Sequence, residues 1–100
     1  MSVRAGKPLD WTRTARREYL SQLGWIAAEN PLAAELVRQR IEHSLDLIRE
    51  QPGLGTPDQR QRRRHSVPRT PFTLYYRETA RSIQILRILH HAQFSPNPLR

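Results

Sequence analysis

Cysteine is absent from this 100-residue sequence, and so are long apolar runs. Without cysteine the chain has no disulfide, thiolate zinc site or cysteine nucleophile, so its core must form by packing alone. No apolar run reaches the roughly 18 residues that a membrane-spanning helix needs, and the first eight residues lack the apolar stretch of a secretory signal. We therefore expect one cytoplasmic domain over residues 1–100, with a core at about 8–93 and flexible ends at 1–7 and 94–100.

Acidic residues are scarce relative to basic ones. Nine Asp and Glu stand against 17 Lys and Arg, which gives a formal net charge of +8, and sixteen of the basic residues are Arg. Residues 1–50 are nearly balanced at +1, whereas residues 51–100 carry +7. Because Arg stays charged and pairs bidentately with phosphate or carboxylate, this bias favours a polyanion or an acidic protein segment as partner. The other interpretation is a solvated basic surface.

Apolar spacing in the first half predicts two helices. The first runs from about 13 to 29, with Thr12 as its N-cap and with apolar residues at steps of three and four. Asn30-Pro31 ends this helix and starts a second one that extends to about Glu50, because Asn caps well and Pro suits the first helical position. With almost no linker between them, the helices must form an antiparallel hairpin.

Beyond the Pro- and Gly-rich segment 51–57 the apolar period changes to two. Runs at 64–67, 72–77 and 82–90 predict an antiparallel meander. The last run belongs inside the sheet because it is apolar on both faces, with Ile83, Ile85 and Leu89 on one face and Leu86 and Ile88 on the other. Residues 8–11 form either a first strand or an extended arm. The order predicts an α+β fold in which an N-terminal antiparallel helix hairpin packs on a small C-terminal antiparallel β-sheet.

Five segments carry a recognisable pattern. They are Trp11-Thr12, Asn30-Pro31-x-Ala33-Ala34, Leu54-Gly55, Val67-Pro68-x-Thr70-Pro71-Phe72-x-Leu74-x-Tyr76-Arg77 and Ile83-x-Ile85-Leu86-Arg87-Ile88-Leu89-His90. Together, over about residues 8–93, they resemble the RelE/ParE superfamily of bacterial toxins, and the ParE branch most closely. The resemblance implies the toxin of a type II toxin–antitoxin system, which poisons DNA gyrase, blocks replication and is neutralised by a cognate antitoxin in a heteromeric complex. No cofactor, metal or membrane is implied.

RelE-like relatives instead cut mRNA on the ribosome, and the sequence bears on that alternative. RelE-type nucleases carry an arginine where this chain has Thr73, and a neutral hydroxyl cannot supply the charge that the transition state needs. Other relatives use His and Tyr near the end of the last strand. Here the histidines are present as His90-His91, but the tyrosine is absent because Ala92-Gln93 follow. We therefore expect an inhibitory binding protein without catalytic residues. The alternative nuclease would use Arg77, Arg87 and His90.

Basic residues of the second half are the candidate contacts with target or antitoxin: Arg60, Arg62, Arg64, Arg69, Arg77, Arg87 and His90. Strand geometry places Arg62 and Arg64 on one face and Arg63 on the other, and it separates Tyr75 from Tyr76 in the same way. Arg77 and Arg87 are candidates for a cationic pair across the last hairpin, with Glu78 as a competing partner.

The histidine pair and the arginine run argue against two other kinds of site. His90 and His91 point to opposite faces of a strand, which argues against a metal site. The arginine run at 60–64 lacks interleaved aromatics that would stack bases, so sequence-specific reading of a single strand is not expected. A plain nucleic-acid-binding module would need only that run, but it would not account for the strand motifs.

Overall fold

The computed structural model describes residues 6–91, which form a helix hairpin and a five-stranded sheet. The elements in chain order are β1 (Leu9–Trp11), α1 (Arg13–Glu29), α2 (Pro31–Glu50), a 3-10 turn (Pro52–Leu54), β2 (Thr56–Pro57), β3 (Arg63–Ser66), β4 (Phe72–Glu78) and β5 (Ile83–His90). The ends expected to be flexible fall mostly outside the described range. Lys7 lies within it and is held, because its Nζ donates to the Thr79 carbonyl at 2.6 Å and pairs with Glu78 at 2.8 Å.

Both predicted helices and their caps are confirmed. The Ala15 amide donates to Thr12 Oγ1 at 3.0 Å, and the Ala33 amide donates to Asn30 Oδ1 at 3.0 Å. Asn30 alone separates the helices, and Tyr19 of α1 donates to Glu42 of α2 at 3.0 Å, so the two helices run antiparallel. Within the described range, neither helix is long and apolar enough to cross a membrane.

The sheet has the strand order β1-β5-β4-β3-β2. The meander β3-β4-β5 is antiparallel and β5 is internal, as predicted. The predicted α+β fold is confirmed, with an antiparallel sheet over β2–β5. β1, for which strand and extended arm were both open, is a strand and pairs parallel to β5 with Leu9 opposite Ile83, so the whole sheet is mixed. No pattern in the sequence predicted β2, whose two residues pair with Arg63 and Arg64.

A register shift in β5 corrects the predicted faces of that strand. Tyr75 lies opposite Arg87 but Tyr76 lies opposite Ile85, so Leu86 is an extra residue, a β-bulge. Alternation restarts after the bulge, and Ile88 therefore joins Ile83 and Ile85 in the core, all three fully buried. Simple alternation had placed Ile88 on the opposite face.

The core lies between the helices and one face of the sheet. Ala15, Ile41, Leu45 and Ile48 come from the helices and pack against buried residues of the strands. Those strand residues are Phe72, Leu74, Tyr76, Ile83, Ile85 and Ile88.

Tyr76 reaches through this core to fix the segment that follows α2. Its hydroxyl donates to the Pro52 carbonyl at 2.7 Å and accepts from the Gly55 amide at 2.8 Å. A Cβ at position 55 would lie 2.7 Å from that hydroxyl, so glycine is required there. The sheet face opposite the helices, called here the outer face, carries the alternate residues of β4, among them Tyr75 and Arg77.

Candidate functional site

The outer face has a cationic centre built on Tyr75. The sequence predicted that Tyr75 and Tyr76 lie on opposite faces of β4, and in the structure Tyr76 is completely buried while Tyr75 turns outward. The guanidinium of Arg62 stacks over the Tyr75 ring, with its central carbon 4.7 Å from the ring centroid. A side chain from the turn before β3 thus covers an aromatic residue of the neighbouring strand.

Asp58 holds Arg62 in this position. Its carboxylate accepts from Arg62 Nε at 2.8 Å, from Arg62 Nη2, and from Arg64 Nη1 at 3.3 Å. The hydrogen bonds from Arg62 are the main reason that the pKa of Asp58 is lowered from its ordinary value. One carboxylate therefore orders two arginines and leaves an excess positive charge on this part of the sheet.

The turn between β2 and β3 supplies the rest of the site. It closes through the Asp58 amide to the Arg62 carbonyl at 2.8 Å, and Arg60 adopts a left-handed conformation with φ 51°. Together with two residues of the sheet, the turn lines a pocket of about 170 Å³: Gln59, Arg60, Gln61, Arg62, Arg77 and Leu86. The lining offers three guanidinium groups, two amides and one aliphatic side chain, which suits a carboxylate- or phosphate-bearing chain.

Arg77 is an exposed cation of the pocket. Its Nη2 donates to Gln84 Oε1 at 2.5 Å, across from it on β5. It makes no ion pair with any residue in the described range, and Glu78 pairs with Lys7 instead. Arg60, Arg62 and Arg77 therefore meet at one pocket, and Arg64 joins them through Asp58.

Arg87 lies outside this group, contrary to its predicted pairing with Arg77. It is opposite Tyr75, and its Nε and Nη2 donate to Glu18 of α1 at 2.8 and 2.5 Å. The other oxygen of Glu18 accepts from the Ile88 amide at 2.9 Å, and the bonds to Glu18 raise the pKa of Arg87. Arg87 therefore ties α1 to β5.

Arg69 and His90 are also elsewhere. Arg69 lies in the β3–β4 turn, on the side of α2, and His90 packs edge-on against Phe72 with 5.2 Å between ring centroids. His90 and Gln84, the partner of Arg77, are six residues apart on β5, which corresponds to about 20 Å. The side chains proposed for the alternative nuclease, Arg77, Arg87 and His90, do not converge on one reacting group.

Five members of the outer-face site were not among the predicted contacts: Asp58, Gln59, Gln61, Tyr75 as a stacking partner, and Leu86. The stacking role of Tyr75 was missed because Tyr75 belongs to a different strand from the arginine run, and no aromatic residue stands among the arginines in the sequence. Thr73, at the position of the RelE arginine, is 6% exposed and lies 2.6 Å from His91 Nε2. Among residues 6–91 no group of three His, Asp or Glu side chains is placed to hold a metal ion.

Comparison with known proteins adds a family assignment. The family model described as ParE toxin of type II toxin-antitoxin system, parDE, matches residues 9–93. A solved structure titled "Chromosomal ParDE TA system from P. aeruginosa" is similar to this chain with a TM-score of 0.73 and 25% identity, over 84% of this chain and 95% of that one. No match was found among curated proteins.

Proposed function

Since the chain belongs to the ParE toxin family of type II toxin–antitoxin systems, we propose that it stops growth by binding DNA gyrase through the outer face of its sheet. In this proposal the toxin acts without chemistry of its own, and a cognate antitoxin neutralises it. The observation that carries the proposal is the pocket where Arg60, Arg62 and Arg77 converge beside Leu86.

The composition of the pocket supports binding more than cleavage. Cleavage at a ribose 2′-hydroxyl needs a group that accepts a proton and another that donates one. The lining residues are arginines, glutamines and a leucine, and none of these side chains exchanges protons near neutral pH. Ordered guanidinium groups instead recognise carboxylates or phosphates on a partner, and the Asp58 bonds hold one of them in place before binding.

An acidic antitoxin segment fits the same surface. Residues 51–100 carry a net charge of +7, and only two of these residues are acidic. A segment that is disordered when free and rich in Asp and Glu would gain charge-assisted bonds as it orders over the outer face. Covering the pocket would then block access to gyrase, so neutralisation follows from competition for one surface.

The test reverses the charge of one exposed arginine. Arg77→Glu is expected to raise the toxin concentration that half-inhibits gyrase supercoiling by about tenfold or more, because it replaces a binding cation with a repelling anion. Arg17→Glu is the matched control. It makes the same charge change on an exposed position of α1 that forms no ion pair within residues 6–91, and it is expected to retain inhibition.

The same preparations distinguish the nuclease alternative. Both variants should keep the wild-type circular dichroism spectrum and melting temperature, since exposed substitutions of this kind cost under about 0.5 kcal/mol. Equal inhibition by Arg77→Glu and wild type would remove the outer face from the mechanism. Wild-type protein that cuts transcripts in a translating extract and loses this activity in His90→Ala would replace the gyrase proposal with the nuclease one.

A further inference from the structure

A second cationic surface lies on the helix side of the molecule, between α2 and the β3–β4 turn. It is a groove of about 260 Å³, called here the α2 groove, and it is lined by Leu36, Gln39, Arg40, His43, Pro68 and Arg69. The helix residues lie at i, i+3, i+4 and i+7, so they share one face of α2. The outer-face site uses none of these residues.

The α2 groove is positively charged and has no acidic residue in its lining. Arg40 Nη1 donates to the Arg69 carbonyl at 3.0 Å, which anchors the turn to the helix. Within the described range, neither Arg40 nor Arg69 forms an ion pair. The carboxylate at its rim, Glu35, is already engaged by Arg38 and Gln39.

Exposed leucines continue the groove toward the tip of the hairpin. Leu36 is 49% exposed, and Leu32, one helical turn earlier on the same face, is 80% exposed. Leu32 and His43 are separated by eleven residues, which is about 16 Å along the helix axis. The residues from Leu32 to His43 therefore form a stripe along α2, with the exposed leucines at one end and the cationic groove at the other.

We propose that the α2 groove binds an acidic amphipathic helix of another protein, with aliphatic side chains on Leu32 and Leu36 and carboxylates on Arg40, His43 and Arg69. Three helical turns of partner match the length of the stripe. This proposal is independent of the gyrase proposal, because the two surfaces share no residue and lie on opposite sides of the sheet. A protein held in the α2 groove would leave the outer face accessible.

The charges and the apolar residues argue for this occupant over two others. A second copy of the chain would bring another net charge of +8 to a cationic groove. Nucleic acid would satisfy the arginines, but it would leave two exposed leucines against a phosphate backbone, and the lining of the groove contains no Phe, Tyr or Trp to stack a base.

Arg69 allows a clean test because of its backbone. Its φ is 60°, a conformation that glycine adopts without strain, so Arg69→Gly removes the guanidinium and keeps the turn and the bond from Arg40. Arg60 is the matched control, since it is also an exposed turn arginine, with φ 51°, on the other side of the sheet. Both glycine variants should melt at or above the wild-type temperature.

The probe is a synthetic 14-residue helical peptide of Glu and Leu, with its leucines four residues apart, titrated into labelled full-length protein and followed by NMR. We expect amide shifts at Leu36, Arg40, His43 and Arg69. Arg69→Gly should raise the peptide's Kd at these amides at least fivefold, while Arg60→Gly changes it less than twofold. A peptide of the same charge with Ser in place of Leu should bind there at least fivefold more weakly.

Several results would overturn the proposal. They are amide shifts confined to the outer face, equal effects of the two glycine variants, and equal binding of the Ser peptide. A 12-base-pair DNA duplex that displaces the peptide from the groove amides would assign the surface to nucleic acid. Self-association in sedimentation that is abolished by Leu36→Ser would assign it to a second copy of the chain.

Discussion

We expect His65 to make the stability of the domain depend on pH. Its ring lies on the helix side of β3, opposite Leu74, with Nε2 at 3.1 Å from the hydroxyl of the fully buried Ser44. Burial lowers the pKa of His65 below its ordinary value. The unfolded chain therefore binds a proton at a higher pH than the folded one, and the free energy of unfolding should fall as pH drops below about 6.5.

Urea denaturation at pH 8, 7, 6 and 5 measures this dependence. The midpoint should be constant between pH 8 and 7 and should decline from pH 7 to 5 in the wild type. His65→Gln should flatten that decline, whereas His43→Gln, an exposed position on α2, should retain it. A decline of the same size in His65→Gln would assign the pH dependence to other groups.

At the scale of single residues, the sequence predicted that Tyr75 and Tyr76 lie on opposite faces of the sheet. It did not predict which side chains from different elements come into contact. Period two correctly separated Tyr75 from Tyr76, because alternation is a local property of a strand, but it left open which of them is buried. The stacking of Arg62 on Tyr75 was not predictable, because it depends on a turn with Arg60 in a left-handed conformation and on Asp58 as an anchor.

At the scale of elements, α1 serves as a cover for an unpaired edge of β5. β1 pairs with residues 83–85 only, and beyond them Thr12 Oγ1 donates to the Leu86 carbonyl at 3.1 Å while Glu18 accepts from the Ile88 amide. These side chains form hydrogen bonds with backbone groups of β5 that a longer neighbouring strand would otherwise have to satisfy. Docking of α1 thus depends on hydrogen bonds as well as on its apolar stripe.

Glu18→Ala tests this role of α1. The change leaves the Ile88 amide without its acceptor and Arg87 without its partner, and it should cost about 1–3 kcal/mol in the free energy of unfolding. Glu29→Ala, at the exposed end of the same helix, is the control and should cost under about 0.5 kcal/mol. Guanidinium denaturation measures both, and equal costs would show that Glu18 contributes no more than a surface carboxylate.

Element prediction succeeded where local signals were strong. Asn30-Pro31 marked the helix junction because Asn30 caps the start of α2 and Pro31 suits its first turn. The parallel strand β1 stayed undecided because three residues carry no period, and its pairing with β5 joins positions more than 70 residues apart. The bulge at Leu86 was missed because alternation assumes an uninterrupted register.

Across the whole molecule, the two cationic surfaces lie on different layers. The outer-face site combines the β2–β3 turn with β4 and β5, and the α2 groove combines the second helix with the β3–β4 turn. Sequence reasoning placed Arg62, Arg69 and Arg87 in a single recognition set. The fold gives them different partners: Arg62 lines the outer-face pocket, Arg69 lines the α2 groove, and Arg87, opposite Tyr75, is bound to Glu18 of α1. Strand order and turn geometry decide which groups each arginine contacts.

The net charge of +8 should govern how fast the toxin meets an acidic partner. Long-range attraction accelerates encounter and is screened at a Debye length that falls from roughly 10 Å at 0.1 M salt to about 3 Å at 1 M. If the outer face docks an acidic surface of gyrase, the association rate constant measured by stopped flow should drop at least about tenfold between 0.05 and 0.5 M NaCl. The dissociation rate should change much less, because contacts formed at short range are screened less.

Arg77→Glu should give a shallower salt dependence of the association rate than Arg17→Glu, since both variants have the same net charge and only the first changes the docking face. Identical slopes for the two variants would mean that the overall charge steers the encounter and that the outer face has no special part in it.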